Sequence, residues 1–145
     1  MIPDLEPIRA FLEDAHVAFA ESLVAFVQRE IAPLAPPADD AAARRDARAL
    51  LAKLGAGGWF DPIARLNWRE CCLVREALGA VSPLADAVFA LQGLAALPIM
   101  LAGNAVMRER WLDDAMAGRA MGAFAMTEAE AGSDVAAIAT TARRD

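Results

Sequence analysis

The run Leu84–Ala102, LADAVFALQGLAALPIMLA, decides most of what this chain can fold into. Apolar residues hold nearly every position, so the segment has no polar face to turn toward water. Asp86, Gln92 and Pro98 interrupt it, and no unbroken apolar run reaches the ~18 residues a membrane span needs. In a chain of 145 residues such a segment is expected at the centre of a helical bundle, buried on most of its circumference.

The flanking sequence supplies the remaining helices. Ile8, Phe11, Leu12, Ala15, Phe19, Leu23, Phe26, Val27 and Ile31 recur at i, i+3 and i+4 spacing, which predicts one long amphipathic helix over residues 5–32. Pro33, Pro36 and Pro37 end it and stiffen the connection. Asp39 or Asp40 caps a second helix that runs to Leu54, and the glycines of Gly55–Gly58 terminate it. Those glycines are not a dinucleotide fingerprint. Phe60 stands where a third glycine belongs, and the cluster ends a helix rather than following a strand. Trp59 and Phe60 read as a hydrophobic plug beneath the turn. Further helices are expected at about 68–80, at 83–102 and, capped by Asn104, up to Gly118. Their short connections suit antiparallel packing.

Past Gly118 the pattern changes. Residues 121–126, MGAFAM, read as a short buried strand, 127–134 as an ordered turn, and 138–144, IATTARR, as a second strand. The expected fold class is therefore mainly α. An antiparallel helical bundle occupies residues 1–118, and the first strands of an incomplete β-domain follow over 119–145.

Composition narrows the chemistry. An apolar share of 57% argues for a packed core rather than disorder. A net charge of −6 without a basic stripe argues against a nucleic-acid partner. His16 is the one histidine and has no catalytic constellation around it. Cys71 and Cys72 are adjacent, poorly placed for a mutual disulfide and without zinc-site spacing. Reduced thiols, no metal site and a cytoplasmic location are expected. The opening residues MIPDLEPIRAF lack the basic region and apolar stretch of a signal peptide. Ser133 sits in Ala-Gly-Ser-Asp-Val, which is not a nucleophile elbow. On spacing alone, residues 127–134 are a capped turn, with Ser133 or Asp134 capping VAAI and with Glu128 and Glu130 solvated or turn-stabilising.

The stretch Phe124–Asp145, FAMTEAEAGSDVAAIATTARRD, resembles the signature of the acyl-CoA dehydrogenase family. In that signature an aromatic-x-x-Thr-Glu-Pro-x-Ala-Gly-Ser-Asp segment opens a middle β-domain. KLGAGGWF at Lys53–Phe60 resembles the family's turn after its second helix. LPIMLAGN at Leu97–Asn104, followed by RERWL at Arg108–Leu112, is similar to the helix pair before the signature. Ala129 replaces the family's proline, and Asp61–Asn67 stands where the family commonly has a Pro-Glu-x-x-Gly-Gly-like loop.

The resemblance implies the N-terminal part of an FAD-dependent acyl-CoA dehydrogenase that desaturates an acyl-CoA thioester and passes electrons to an electron-transfer flavoprotein. It implies Phe124, Met126 and Thr127 beside the flavin, with the Thr127 hydroxyl on the N1/O2 edge. Gly132 would admit close backbone approach, and Ser133 would meet both the FAD pyrophosphate region and the pantetheine arm. On the apolar helix Ala87, Ala90, Leu91 and Leu94 share a face. The resemblance makes Ala90 and Leu94 part of an acyl pocket, while ordinary helix packing is the competing reading. No catalytic residue is expected here, because the family's glutamate base would lie beyond Asp145, which would leave these residues alone inactive. A dimer or tetramer is implied for the whole protein. A flavin oxidase or monooxygenase on the same scaffold, a helical interaction module and a subunit of a split flavoprotein are the alternatives.

Overall fold

The single helix expected over residues 5–32 is broken at Glu13. A computed structural model, which describes residues 4–143, places a 3-10 segment at Glu6–Phe11 and a first α-helix, α1, at Asp14–Glu30. The break is a capping event. Glu13 is extended, with φ of −87° and ψ of 164°, and His16 Nδ1 accepts its N–H at 3.1 Å. Breaking the helix there moves its buried stripe. Phe11 and Ala15 are exposed, whereas His16 and Ala20 join Leu23, Phe26 and Val27 inside.

Each later helix of more than one turn opens on the side-chain cap its sequence provides. For α2, Asp40–Ala56, the Asp39 carboxylate accepts the Ala42 N–H at 2.7 Å. For α4, Trp68–Gly79, Asn67 serves Glu70, and for α5, Pro83–Ala102, Ser82 serves Ala85. For α6, Ala105–Met116, Asn104 accepts from Met107 at 2.9 Å. Between α2 and α4 lies a single turn, α3, Asp61–Ala64, started by Pro62 and too short to leave a periodic signal. The Trp59–Phe60 plug is present. Phe60 is fully buried and stacks on Phe89 of α5 with centroids 5.9 Å apart. Trp59 packs on Phe19 and Phe26 of α1.

Helix α5 is the hub, packed against α2, α3, α4 and α6. It runs antiparallel to α4, and the Arg75–Asp86 fork, both bonds at 2.8 Å, ties the end of one to the start of the other. The bundle is not antiparallel throughout. α1 packs on α4 with their N-terminal ends together, joined by Arg69 and Glu13 at 3.0 Å. By length and composition α5 is long and apolar enough to cross a membrane, yet packing buries only 33% of its apolar window. The expected burial on most of its circumference is therefore corrected. Ala85, Val88, Phe89, Gln92, Gly93 and Ala96 face the other helices. Ala87, Leu91, Leu94 and Leu101 are exposed, because nothing among the described residues covers that side.

The mainly α class holds, but the two expected strands do not. Among the described residues no strand forms, and residues 119–143 carry only a 3-10 turn at Val135–Ala137. Residues 121–126 and 138–143 do not pair with one another, and without a ladder neither can register as a strand. Arg144 and Asp145 lie outside the described residues.

Candidate functional site

The chain leaves the bundle through two close contacts. Gly118, at φ 70°, lies on the main chain of Leu51, and a Cβ there would overlap it. A Cβ on Gly55 of α2 would likewise overlap the main chain of Ala117. The second contact is built by Gln92, the polar residue inside the apolar run, which is only 1% exposed. Its Nε2 donates to the carbonyls of Ala115 at 2.7 Å and Ala120 at 2.8 Å, and its Oε1 accepts the Gly122 N–H at 2.8 Å. One amide thus fixes the end of α6 and the outgoing segment on α5. A Cβ on Gly122 would overlap Ala95 Cβ and lie 3.7 Å from the Leu91 carbonyl. The outgoing segment therefore meets α5 at Leu91, Gln92 and Ala95.

Just beyond the crossing the backbone is unpartnered among the described residues. From Ala123 to Thr127 no N–H finds an acceptor among the described residues. Phe124 and Met126 are 43% and 39% exposed. Glu128 then donates its N–H to the Ala131 carbonyl at 2.8 Å, which turns the chain back and sets Gly132 beside Thr127. A Cβ on Gly132 would meet only Thr127 Cγ2, at 3.9 Å, so nothing among the described residues demands glycine there. Thr127, Gly132 and Ser133 are all exposed.

The Glu128 carboxylate accepts from the Ala139 N–H at 2.9 Å, the Thr140 N–H at 2.8 Å and the Thr140 hydroxyl. These donors, that of Ala139 first, hold its pKa below the usual carboxylate range. The turn-stabilising reading of Glu128 is the one the geometry supports. Glu130 is exposed and makes no such bonds among the described residues. Asp134 occupies the N-cap position of Val135–Ala137 without a side-chain bond, so the expected Ser133 or Asp134 side-chain cap does not form.

Of the sequence-derived positions, Thr127, Gly132 and Ser133 come together in one turn. On α5, Ala90 is half-buried and Leu94 is 45% exposed. Among the described residues no hydrogen bond joins 123–143 to the bundle, so the last hydrogen bond tying the outgoing segment to α5 is that of Gly122. A row of free main-chain donors beside exposed Phe124 and Met126 fits a flat ring with a polar edge. The open space at Gly132 fits close approach of a ligand. Gln92 and Gly122 were missed from sequence as site-forming residues. The available signal was one amide side chain in the middle of a helix whose other polar residue, Asp86, lies in its first turn.

Residues 13–119 match the family described as acyl-CoA dehydrogenase, N-terminal domain. The chain belongs to the acyl-CoA dehydrogenase family. Within it, the chain is 40% identical to benzylmalonyl-CoA dehydrogenase of Aromatoleum aromaticum, over 92% of this chain and 37% of that protein. It is 30% identical to a protein of Mycobacterium leprae named as a probable acyl-CoA dehydrogenase, over 92% of this chain and 36% of that one. A 3-(aryl)acrylate reductase of Clostridium sporogenes is 27% identical, over 93% and 37%. The chain spans little over a third of the length of these curated relatives. The family match takes in α1 to α6 and Gln92 and ends before the Thr127–Ser133 turn.

Proposed function

We propose that the chain is the N-terminal part of an FAD-dependent acyl-CoA dehydrogenase, with a helical domain over 1–118 and the opening of a β-domain over 119–145. The observation that carries this reading is the unpartnered Ala123–Thr127 main chain that follows directly on the Gly122–Gln92 contact with α5, in a chain of this family. When bound, FAD supplies a hydride acceptor for the β-carbon of a CoA thioester. Phe124 and Met126 pack against the ring. The Thr127 hydroxyl donates to the edge that gains negative charge on reduction, where a positioned donor favours that state. Gly132 lets the main chain approach the cofactor, and Ser133 donates toward pyrophosphate and pantetheine.

Ala90 and Leu94, on the uncovered side of α5, contact the acyl group. Two relatives carry benzyl or aryl in their names, and small Ala90 leaves room for such a ring. The base that removes the α-proton comes from outside these residues. An electron-transfer flavoprotein receives the electrons, and the whole protein is a cytoplasmic dimer or tetramer. The test is to incubate the full-length, flavin-loaded protein with 3-arylpropionyl-CoA thioesters and an artificial electron acceptor. Mass spectrometry should show an enoyl thioester lacking two hydrogens. Loaded protein that leaves every thioester unchanged contradicts the reading.

A further inference from the structure

We propose that Glu128 is the positioning residue of the Thr127–Ser133 turn, holding it for its ligand through the main chain of Ala139 and the main chain and hydroxyl of Thr140. The proposal rests on the flavin reading above.

The turn needs such a device. Apart from Ala131 and half-buried Glu128, residues 127–134 are exposed, and no hydrogen bond among the described residues ties them to the bundle. An exposed turn held only by the Glu128–Ala131 backbone bond would open readily. Glu128 closes it from the other side, reaching 11 and 12 residues along the chain. Both carboxylate oxygens are used, Oε2 by Ala139 and Oε1 by Thr140. All of the partners are donors, so the group must be an acceptor on both arms. A glutamine would turn its NH2 against a main-chain N–H and lose that arm. The acceptor requirement separates Glu128 from Glu130, two residues away. Ordering the turn in advance removes part of the entropy that a ligand would otherwise lose on binding.

The experiment compares wild type, Glu128→Gln, Thr140→Val and the control Glu130→Gln in the full-length protein. Amide exchange and FAD binding are measured together with kcat and KM for a CoA thioester. In Glu128→Gln, exchange at Ala139 and Thr140 should rise about tenfold and the FAD Kd should rise about tenfold, the scale of losing hydrogen bonds to a charged acceptor. Amides of α2, α4 and α5 should exchange as in wild type, and kcat at saturating FAD should stay within about twofold, since no reacting atom is touched. Thr140→Val, which keeps its N–H, should fall between wild type and Glu128→Gln, and Glu130→Gln should match wild type. If wild type binds FAD and both Glu128→Gln and Thr140→Val bind it equally well, the positioning role is overturned while the flavin reading stands. If wild type itself has no affinity for FAD, the flavin reading falls and the role of Glu128 falls with it.

Discussion

Gly122 donates its N–H to Gln92 Oε1 at 2.8 Å, across 30 positions of chain. The same side chain holds Ala115 and Ala120. The direction in which the chain leaves the bundle is thus set from inside the most apolar helix of the fold.

Replacing Gln92 should expose how much this junction depends on it. Gln92→Leu keeps the volume but leaves the Ala120 carbonyl and the Gly122 N–H without their partner and removes one of the two donors to the Ala115 carbonyl, with an expected loss of about 3 kcal/mol. Gln92→Glu aims a carboxylate at the two carbonyls, which together with burial raises its folded pKa above the unfolded ~4.3. A raised acid pKa destabilises as pH rises through the unfolded value, so this variant should lose stability relative to wild type between pH ~4 and ~7. Urea midpoints at the two pH values measure it, and a difference from wild type that does not change with pH would contradict the buried-amide geometry.

Gly118 and Gly58 make a matched pair. Both have positive φ, 70° and 72°. A Cβ on Gly58 meets nothing nearer than Asp61 Oδ2 at 3.4 Å, so Gly58→Ala should cost only the left-handed backbone strain, about 1 kcal/mol. Gly118→Ala adds a collision with the Leu51 main chain and should cost at least about 3 kcal/mol. Thermal unfolding should rank Gly118→Ala well below Gly58→Ala. Equal midpoints would mean that α2 and the Ala117–Gly118 turn are not in close contact.

Glu30 gives an acid-range signature. Lys53 bonds it at 2.6 Å and Arg29 at 2.9 Å, and these partners, Lys53 foremost, hold its carboxyl below the ordinary range. A depressed folded pKa contributes stability above the unfolded value and loses it as pH falls through the folded one. The difference in Tm between wild type and Glu30→Gln should therefore be fully developed at neutral pH and close below pH ~4. A constant difference across the range would show that the ion pair does not form in solution.

The adjacent thiols should react unequally. Burial, and then the neighbouring Cys72 and Glu70, push the Cys71 thiol up to about 11, whereas Cys72 is exposed. Iodoacetamide at pH ~8 should modify Cys72 first, read by mass spectrometry of peptides, and Cys72→Ser should leave a slowly labelled protein. Equal labelling of both cysteines would contradict the half-buried placement of Cys71.

Much of the bundle was legible because apolar spacing and caps agree from Asp39 to Gly118. Asp39 and Asn104 cap where the sequence offered them, and Ser82 adds a cap that the apolar pattern did not single out. The break at Glu13 was hidden because apolar spacing continues from Ile8 through Phe19 while the cap is carried by a glutamate and a histidine ring. The strands were overread because period-2 and β-branched patterns describe a propensity, and a strand exists only with a partner. The turn residues were legible as a motif. Its staple was not, since Glu128 and Thr140 are linked by folding rather than by any local spacing.

Equilibrium binding of FAD to the full-length apoprotein tests the placement of the flavin most directly. Thr127→Val keeps the shape and removes the hydroxyl, and it should weaken binding about tenfold. Gly132→Val should weaken it further by filling the open approach, without altering the unfolding midpoint, since a Cβ there meets only Thr127 Cγ2 at 3.9 Å. If both variants bind FAD as tightly as wild type, the cofactor does not sit on the Thr127–Ser133 turn.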